Sequence, residues 1–502
     1  MGVFCIIPLT REGSGKTLTA FKSAELLAQL GYADKVIFLV DRVTLATQSG
    51  DDFKGFSNYE EIYETKNTDI LINLLLDNSV GRLIVTSIQK MSNVVENELD
   101  SRKLDEIKKK RIVFIIDEAH RSTFGVMMTN IKNTYPNAMF FGFTGTPIQT
   151  KTDNTDSTEI TTADIFGNEL HHYTLADGIR DGNVLSFDIT KVQILSEMEI
   201  RRQVALEKAC VKSIDDLDDY NEEIYQEWMD TSKHSMPEVE AFAGSASYER
   251  PEYQAKVVES ILSSWKELNR TGEFSAIFAT SSIKEAIQYW RLLKDNPLGL
   301  KVTALFDAND DFSEFSKEKN DGLVDILKHY NSMFKKDFSV STHAGFKEDL
   351  SDRLAQKNQY KNIDKDDKID IVIVVYQLLT GYDSKWVSML FLDKLLEMHN
   401  LIQAISRTNR LNGKRKPHGI IKYYRKTATM EYNIAKAVEE YSGNNPYMMF
   451  VDKLPVNVKK INREFEEISD VFELNKIKNF SRLPEDPISI EKFVESFNSL
   501  TK

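Results

Sequence analysis

Cysteine is almost missing from this chain: Cys5 and Cys210 are the only two in 502 residues. Two thiols so far apart make neither a disulfide framework nor a zinc-binding set. They fit a reduced, cytoplasmic protein. No stretch approaches the roughly 20 apolar residues that a membrane helix needs. The apolar start lacks the basic flank of a signal peptide, so residues 3–9 read as a strand. Gly2 is no myristoylation site, because Ile6 stands where Ser or Thr is required. Positive charge is also in deficit, with 64 Lys and Arg against 77 Asp and Glu and a net charge of −13. That balance excludes adhesion to nucleic acid by the whole surface, while leaving room for a local basic track. No tandem repeat of 20–50 residues is visible.

What remains is an ordinary globular composition, 41% hydrophobic, in a chain long enough for two or more separate cores. Short apolar runs alternate with amphipathic helical patterns, which predicts α/β units around parallel sheets. In the first third the strand-like runs are 3–9, 36–40, 83–86, 112–116 and 140–143. A second series lies at 276–279, 302–306, 369–375, 387–392 and 419–424. Between the two, residues 197–250 are acidic and helical, with Asp215, Asp216, Asp218, Asp219, Glu222 and Glu223 close together. Such a run reads as a solvated helical insertion. Residues 307–340 also read as a polar, helix-prone insertion. The expected layout is a first α/β domain over 1–190, a second over 191–430 and a helical extension over 431–502.

Chemistry concentrates at four places. The predicted strand 3–9 runs into Gly13-Ser14-Gly15-Lys16-Thr17, and a predicted helix follows. Glycines let the backbone curl so that N–H groups face phosphate, and the helix N-terminus adds its dipole. In such a loop Lys16 reaches the β- and γ-phosphates of a nucleotide and Thr17 holds Mg²⁺. Next, Asp117-Glu118-Ala119-His120 ends the most apolar run, at the strand end where α/β sheets bind ligands. Asp117 suits Mg²⁺ ligation, and Glu118 suits orienting or deprotonating a water. The third place is Thr144-Gly145-Thr146-Pro147, two hydroxyls at a tight turn after another buried run. The fourth is Gln403-Ala404-Ile405-Ser406-Arg407-Thr408-Asn409-Arg410. It is expected on a helix, where Arg407 and Arg410, three apart, share a face and can clamp a phosphate.

This order of segments resembles the superfamily two helicases and translocases. Within them it is most similar to the motor (restriction, HsdR-type) subunits of type I restriction-modification enzymes. Also carrying that likeness are Val40-Asp41-Arg42, Thr86-Ser87-Ile88-Gln89-Lys90, Leu378-Leu379-Thr380-Gly381-Tyr382-Asp383 and His399-Asn400-Leu401-Ile402. The resemblance implies two tandem RecA-like domains of the P-loop NTPase kind, plus a helical C-terminal segment. It implies ATP and Mg²⁺ held by Gly13, Ser14, Gly15, Lys16 and Thr17, with Asp117 and Glu118 carrying hydrolysis. Gln403, Gly381 and Asp383 would lie at the nucleotide cleft, and Arg407 and Arg410 would reach the γ-phosphate across it. His120, Thr144, Thr146 and Thr380 would couple nucleotide state to DNA. Arg42, Thr86, Gln89 and Lys90 would line the DNA track.

The implied activity is ATP-driven translocation on double-stranded DNA, with modification (methyltransferase) and specificity subunits as partners and no membrane. A repair or RNA helicase and a catalytically weak binding remnant are the competing expectations. The chain departs from the general phosphate-loop pattern at Thr10, where Gly is usual, and from the family, which usually carries His-Thr-Thr where Thr10-Arg11-Glu12 stands, with Glu12 a carboxylate awkwardly near phosphate. With the phosphate loop at residue 13, a truncated or split motor without the family's nuclease domain is expected.

Overall fold

The computed structural model describes residues 16–40, 62–65, 67–78, 82–96, 101–117, 124–145, 165–167, 170–171, 173–307, 316–442, 446–451 and 454–501. The chain forms two compact units, Met1–Met449 and Phe450–Lys502. The larger unit contains two all-parallel sheets.

The first sheet comprises β1 (Lys35–Val40), β2 (Ile62–Glu64), β3 (Arg82–Ser87), β4 (Ile112–Asp117) and β5 (Met139–Phe143). Its described strands lie in the order β2-β3-β1-β4-β5. Both faces are covered, as the near-continuous apolar runs require. Val36, Phe38 and Val40 point to one face and meet Ala20, Phe21, Ala24 and Ala28 of the helix Lys16–Gln29. Ile37 and Leu39 point to the other, with Phe114 and Ile116. There they meet Leu71, Leu75, Met91, Ile107, Met128 and Ile131 from four further helices. Each fully buried side chain of this size contributes roughly 1.5–3 kcal/mol, so the sheet is the rigid platform on which its C-terminal loops stand.

The second sheet adds β6 (Phe187–Lys191), β7 (Ser275–Thr280), β8 (Val302–Leu305), β9 (Ile371–Val374), β10 (Val387–Asp393) and β11 (Gly419–Tyr423). Its order is β6-β11-β10-β7-β9-β8, and β10 and β7 at its centre are buried along their whole length. The chain thus changes sheet ahead of residue 187, because β6 pairs in register with β11 from Phe187↔Gly419 to Lys191↔Tyr423.

Two strands, β2 and β6, were not legible as apolar runs. The first has three residues, and the second alternates buried Phe187 with exposed Asp188 and Thr190, as an edge strand does. The expected insertion at 307–340 is corrected. Its helix Ser316–Phe334 buries Leu323, Ile326, Leu327 and Tyr330, and it packs on the helix Ile283–Leu293 and on β8. Gly322 permits that approach, since a Cβ there would lie 2.6 Å from Ile287.

The acidic stretch is helical, as Glu197–Lys208, Asp219–Met229 and Met236–Phe242. All six of its clustered carboxylates are exposed, and Asp218 doubles as N-cap by accepting from Tyr220 and Asn221. It is anchored through buried Glu240, whose carboxylate accepts from the Ala428 and Thr429 amides at the start of the helix Thr427–Tyr441. An acid at a helix N-terminus complements the free N–H groups there.

The smaller unit pairs the helices Leu454–Leu474 and Pro487–Thr501 around Ile468, Phe472, Ile477 and Phe493. Among the described residues no helix is long and apolar enough to cross a membrane.

Candidate active site

The C-terminal ends of the first sheet bring two of the expected segments side by side. In the β4–β5 ladder Asp117 stands opposite Phe143, so Thr144 follows directly beside it. Asp117 is half-buried and Thr144 fully buried. A carboxylate next to a buried hydroxyl, at the strand ends of a parallel sheet, is placed where such sheets hold ligands. The helix that starts at Lys16 packs against the same sheet on β1, β3 and β4. Gly13, Ser14, Gly15, Glu118, His120, Thr146 and Arg42 lie outside the described residues, as do the side chains of Lys16 and Thr17.

The residues expected along a DNA track divide. Gln89 is exposed at the start of the helix Ile88–Glu96. The Lys90 ammonium donates to the Thr65 carbonyl, and burial holds its pKa below the usual lysine value. Thr86 corrects the expectation. It is fully buried, and Thr65 donates to its hydroxyl at 2.7 Å. It ties β3 to the residue after β2 and presents nothing to a passing phosphate.

At the second sheet the arginine segment is not the helix that was expected. The helix is Met398–Ile405, capped by Ser406, and it carries Gln403. Arg407 and Arg410 lie in the turn and extended stretch beyond it. The helix ends there because Thr408 folds its hydroxyl back onto the Ile405 carbonyl at 2.7 Å. Such side-chain bonds compete with the helical ladder. The two arginines nevertheless converge, for a tertiary reason. Arg407 Nη1 donates to the Tyr382 carbonyl, and its Nε donates to the Gln403 carbonyl at 3.0 Å. Arg410 Nε meets Asp383 Oδ1 at 2.8 Å.

Both therefore engage the loop Thr380-Gly381-Tyr382-Asp383. Gly381 is exposed at φ +70° and Leu378 holds φ +63°. A left-handed conformation at a leucine is strained, and such strain gathers at ligand loops. Tyr382 Oη donates to the Ser351 carbonyl at 3.1 Å and Ser384 Oγ to that of Leu354 at 3.2 Å, which pins the loop from below.

The electrostatics favour an anion. Arg407 is buried, and that burial, with Arg410 nearby, lowers its pKa to about 9. It remains a cation at neutral pH. Burial also lowers Arg410, with Asp383 opposing. Sequence reasoning missed a third cation, Lys416. It is buried, and its ammonium donates to the Val387 carbonyl at 2.7 Å and the Lys385 carbonyl at 3.2 Å. Burial and then Arg410 lower its pKa to about 7. It stands among a run of surface-type residues, Lys414-Arg415-Lys416, so nothing in the local pattern marks it.

Another group missed lies at the end of β10. Asp393 is fully buried and accepts from Tyr253 at 2.8 Å and from Tyr289 at 2.7 Å. Arg425 joins it at 3.3 Å and reaches Glu285 at 2.9 Å. The signal was present, since Asp393 ends an apolar run just as Asp117 does.

A model of the SWI2/SNF2 ATPase family matches residues 9–223, and a model of domain 3 of type I restriction enzyme subunit R matches 272–426. The endonuclease subunit of a type I restriction enzyme from Staphylococcus aureus is 36% identical over 421 residues, covering 82% of this chain and 41% of its own length. One from Staphylococcus saprophyticus is 33% identical over 514 residues, covering 98% of this chain and 48% of its own length. The chain spans about half the length of the curated relatives it matches. Among solved structures, the DNA-bound Type ISP restriction-modification enzyme LlaBIII is similar at 14% identity and a TM-score of 0.46, with 97% of this chain and 34% of that one covered. The Pyrococcus furiosus Hef helicase domain is similar at 14% identity and a TM-score of 0.42, with 86% and 95% covered. Sequence identity of this extent places the chain in the family of type I restriction enzyme endonuclease (R) subunits.

Proposed function

We propose that this chain is the motor of a type I restriction system, a cytoplasmic ATPase that moves along double-stranded DNA. The observation that carries the reading is a cluster of suitable chemistry on each sheet, one at the C-terminal ends of β4 and β5 and one where β10 and β11 begin. One sets Asp117 beside Thr144. The other gathers Arg407 and Arg410 on a single loop. Each alone is half of a nucleotide site, one suited to Mg²⁺ and water, the other to a triphosphate's terminal charge.

In this reading Gly13, Ser14, Gly15 and Lys16 cradle the ATP phosphates, with Gln403, Gly381 and Asp383 at the cleft. Thr17 and Asp117 would hold Mg²⁺, which neutralises charge on the phosphates when bound. The fit rests on Asp117, a half-buried carboxylate at a strand end. Glu118 takes the proton of the attacking water. Arg410 stabilises the charge that develops on the γ-phosphate, and Arg407 positions it. His120, Thr144, Thr146 and Thr380 pass nucleotide state to the DNA grip, which Arg42, Gln89 and Lys90 form in the first domain. Closure on ATP and opening after hydrolysis would move two grips past each other. The modification and specificity subunits of such a system are the proposed partners.

ATP turnover by the chain, with and without linear duplex DNA, tests the reading. Stimulation by DNA is expected, Lys16→Ala and Glu118→Gln should each abolish turnover, and Glu118→Gln should still bind ATP. Turnover indifferent to DNA would remove the motor. Strand separation by the purified chain would favour a repair or RNA helicase instead. Wild-type turnover in Glu118→Gln would refute the base assignment.

A further inference from the structure

Asn409 is fully buried, and neither its amide nitrogen nor its amide oxygen has a hydrogen-bond partner among the described residues. A carboxamide offers two N–H donors and a carbonyl acceptor, so the whole group is idle. Buried polar side chains are seldom left this way, and each exception asks for a cause. Loose packing is not the cause here. Thr408, its neighbour, is also fully buried, and a Cβ built on Gly419 would lie 2.2 Å from the Thr408 hydroxyl. The start of β11 therefore presses directly on this segment.

Its place in the chain is equally specific. Asn409 sits between Arg407 and Arg410, and its carbonyl accepts from the Leu185 amide at 2.8 Å. The Gly419 amide donates to the Ser186 carbonyl at 2.9 Å in the same stretch. Leu185 and Ser186 end the connection that leads into β6, the first strand of the second sheet. That connection is tied together by its own hydrogen bonds. The helix Leu175–Arg180 opens with a capping box at Thr174 and packs on the turn Pro446–Met449. Tyr173 donates to Asp181 at 2.8 Å, and Asn183 donates to Tyr173 at 2.9 Å. The Val184 amide donates to the Gly178 carbonyl at 3.2 Å, and Val184 itself is buried.

We propose that Asn409 is a positioning residue for the arginine pair. The hydrogen-bonded connection before β6 holds its backbone, and its amide secures the segment in a second arrangement, the one Arg407 and Arg410 take when they leave the 382–383 loop for a triphosphate. Both arginines are engaged on that loop in this structure, and exchanging those contacts for phosphate displaces the residue between them. The amide's donors and acceptor find partners in that displaced state. This inference rests on the nucleotide reading of the two arginines.

The test is Asn409→Leu, a substitution of similar size without polar atoms, in the full chain. A group that serves only this structure would be neutral to lose, and apolar replacement of an idle buried amide would leave the thermal midpoint unchanged or higher. The proposal expects that midpoint together with a fall in kcat for ATP of about tenfold or more and a KM within about threefold of the parent. An unchanged or raised midpoint with kcat within about twofold of the parent overturns it. So does a raised KM with unchanged kcat.

Should Asn409→Leu fail to fold, amide hydrogen exchange on the parent decides. Slowing across residues 405–412 on adding a non-hydrolysable ATP analogue supports the proposal, and unchanged exchange overturns it. If the parent turns over no ATP, or Lys16→Ala turns over as much as the parent, the nucleotide reading itself has failed, before Asn409 is altered.

Discussion

Asp117 and Asp393 each end an apolar central strand, and their surroundings separate them. Asp117 is half-buried beside Thr144, whereas Asp393 is fully buried between two tyrosines and Arg425. Burial works against the Arg425 charge, but Asp393 and Glu285 outweigh it and hold its pKa above the usual arginine value. Arg425→Met would leave two buried carboxylates without their cation. Such a loss costs about 3–5 kcal/mol, to be read as a lower midpoint in urea unfolding. Thr86→Val removes a buried hydroxyl from its bond with Thr65. It should cost about 1–2 kcal/mol of stability and leave affinity for duplex DNA unchanged; a specific loss of DNA binding would return Thr86 to the track. Lys416 adds a pH dependence. Its folded pKa is about 7, while the unfolded chain keeps that proton to about pH 10.4. Between the two the unfolded state binds more protons, so this group's contribution to stability rises with pH and is lost as pH falls through the folded value. Lys416→Met should remove a slope of about 1.4 kcal/mol per pH unit across that window. Denaturation of parent and variant side by side at neutral and alkaline pH measures it.

Elements carry the site through their ends. The helix Met398–Ile405 stops one residue before the turn that holds Arg407, and β11 begins against Thr408. Gly419→Ala would drive a methyl group into the Thr408 hydroxyl, with the Thr408 Cβ at 2.9 Å and its backbone carbon at 3.1 Å. No rotamer relieves a contact with backbone, so the segment must shift. Loss of about 1–3 kcal/mol in stability, together with loss of ATP turnover, is the expected result. The sequence pattern made most elements legible. The strands at 36–40, 83–86, 112–116, 140–143 and the second series all lie within a residue or two of observed strands. They are buried on both faces, so their composition announces them. The edge strand Phe187–Lys191 escaped because one of its faces is wet. The helix Ser316–Phe334 looked like an insertion because its apolar stripe is diluted by charge, although Leu323, Ile326, Leu327 and Tyr330 recur at helical spacing.

As a whole molecule the chain distributes its apolar interior over separate cores. The first sheet has one on each face, the second has its own, and Phe450–Lys502 forms a distinct unit. Unfolding should therefore not be two-state, and calorimetric enthalpy should exceed the van't Hoff value. A nucleotide analogue with Mg²⁺ at about 100 times its Kd should stabilise the binding part by about 2.7 kcal/mol; an unmoved transition would deny a nucleotide site. The net charge of −13 sets any DNA grip against a repelling background. Affinity for duplex should fall steeply with salt if several phosphates are held.

The order and identity of the chemical segments were present in the sequence alone, as was the division into two parallel-sheet blocks. Backbone-curling glycines, strand-end carboxylates and fully apolar strands are local requirements, written in adjacent residues. Tertiary structure decided which side chains face one another. It drew Arg407 and Arg410 onto one loop without a shared helical face, sank Thr86 and Asp393 out of reach, set Lys416 beside Arg410 and buried Asn409 between the two arginines. Those outcomes depend on burial and on partners dozens or hundreds of residues away, and a single linear pattern does not encode which distant carbonyl or carboxylate will stand opposite.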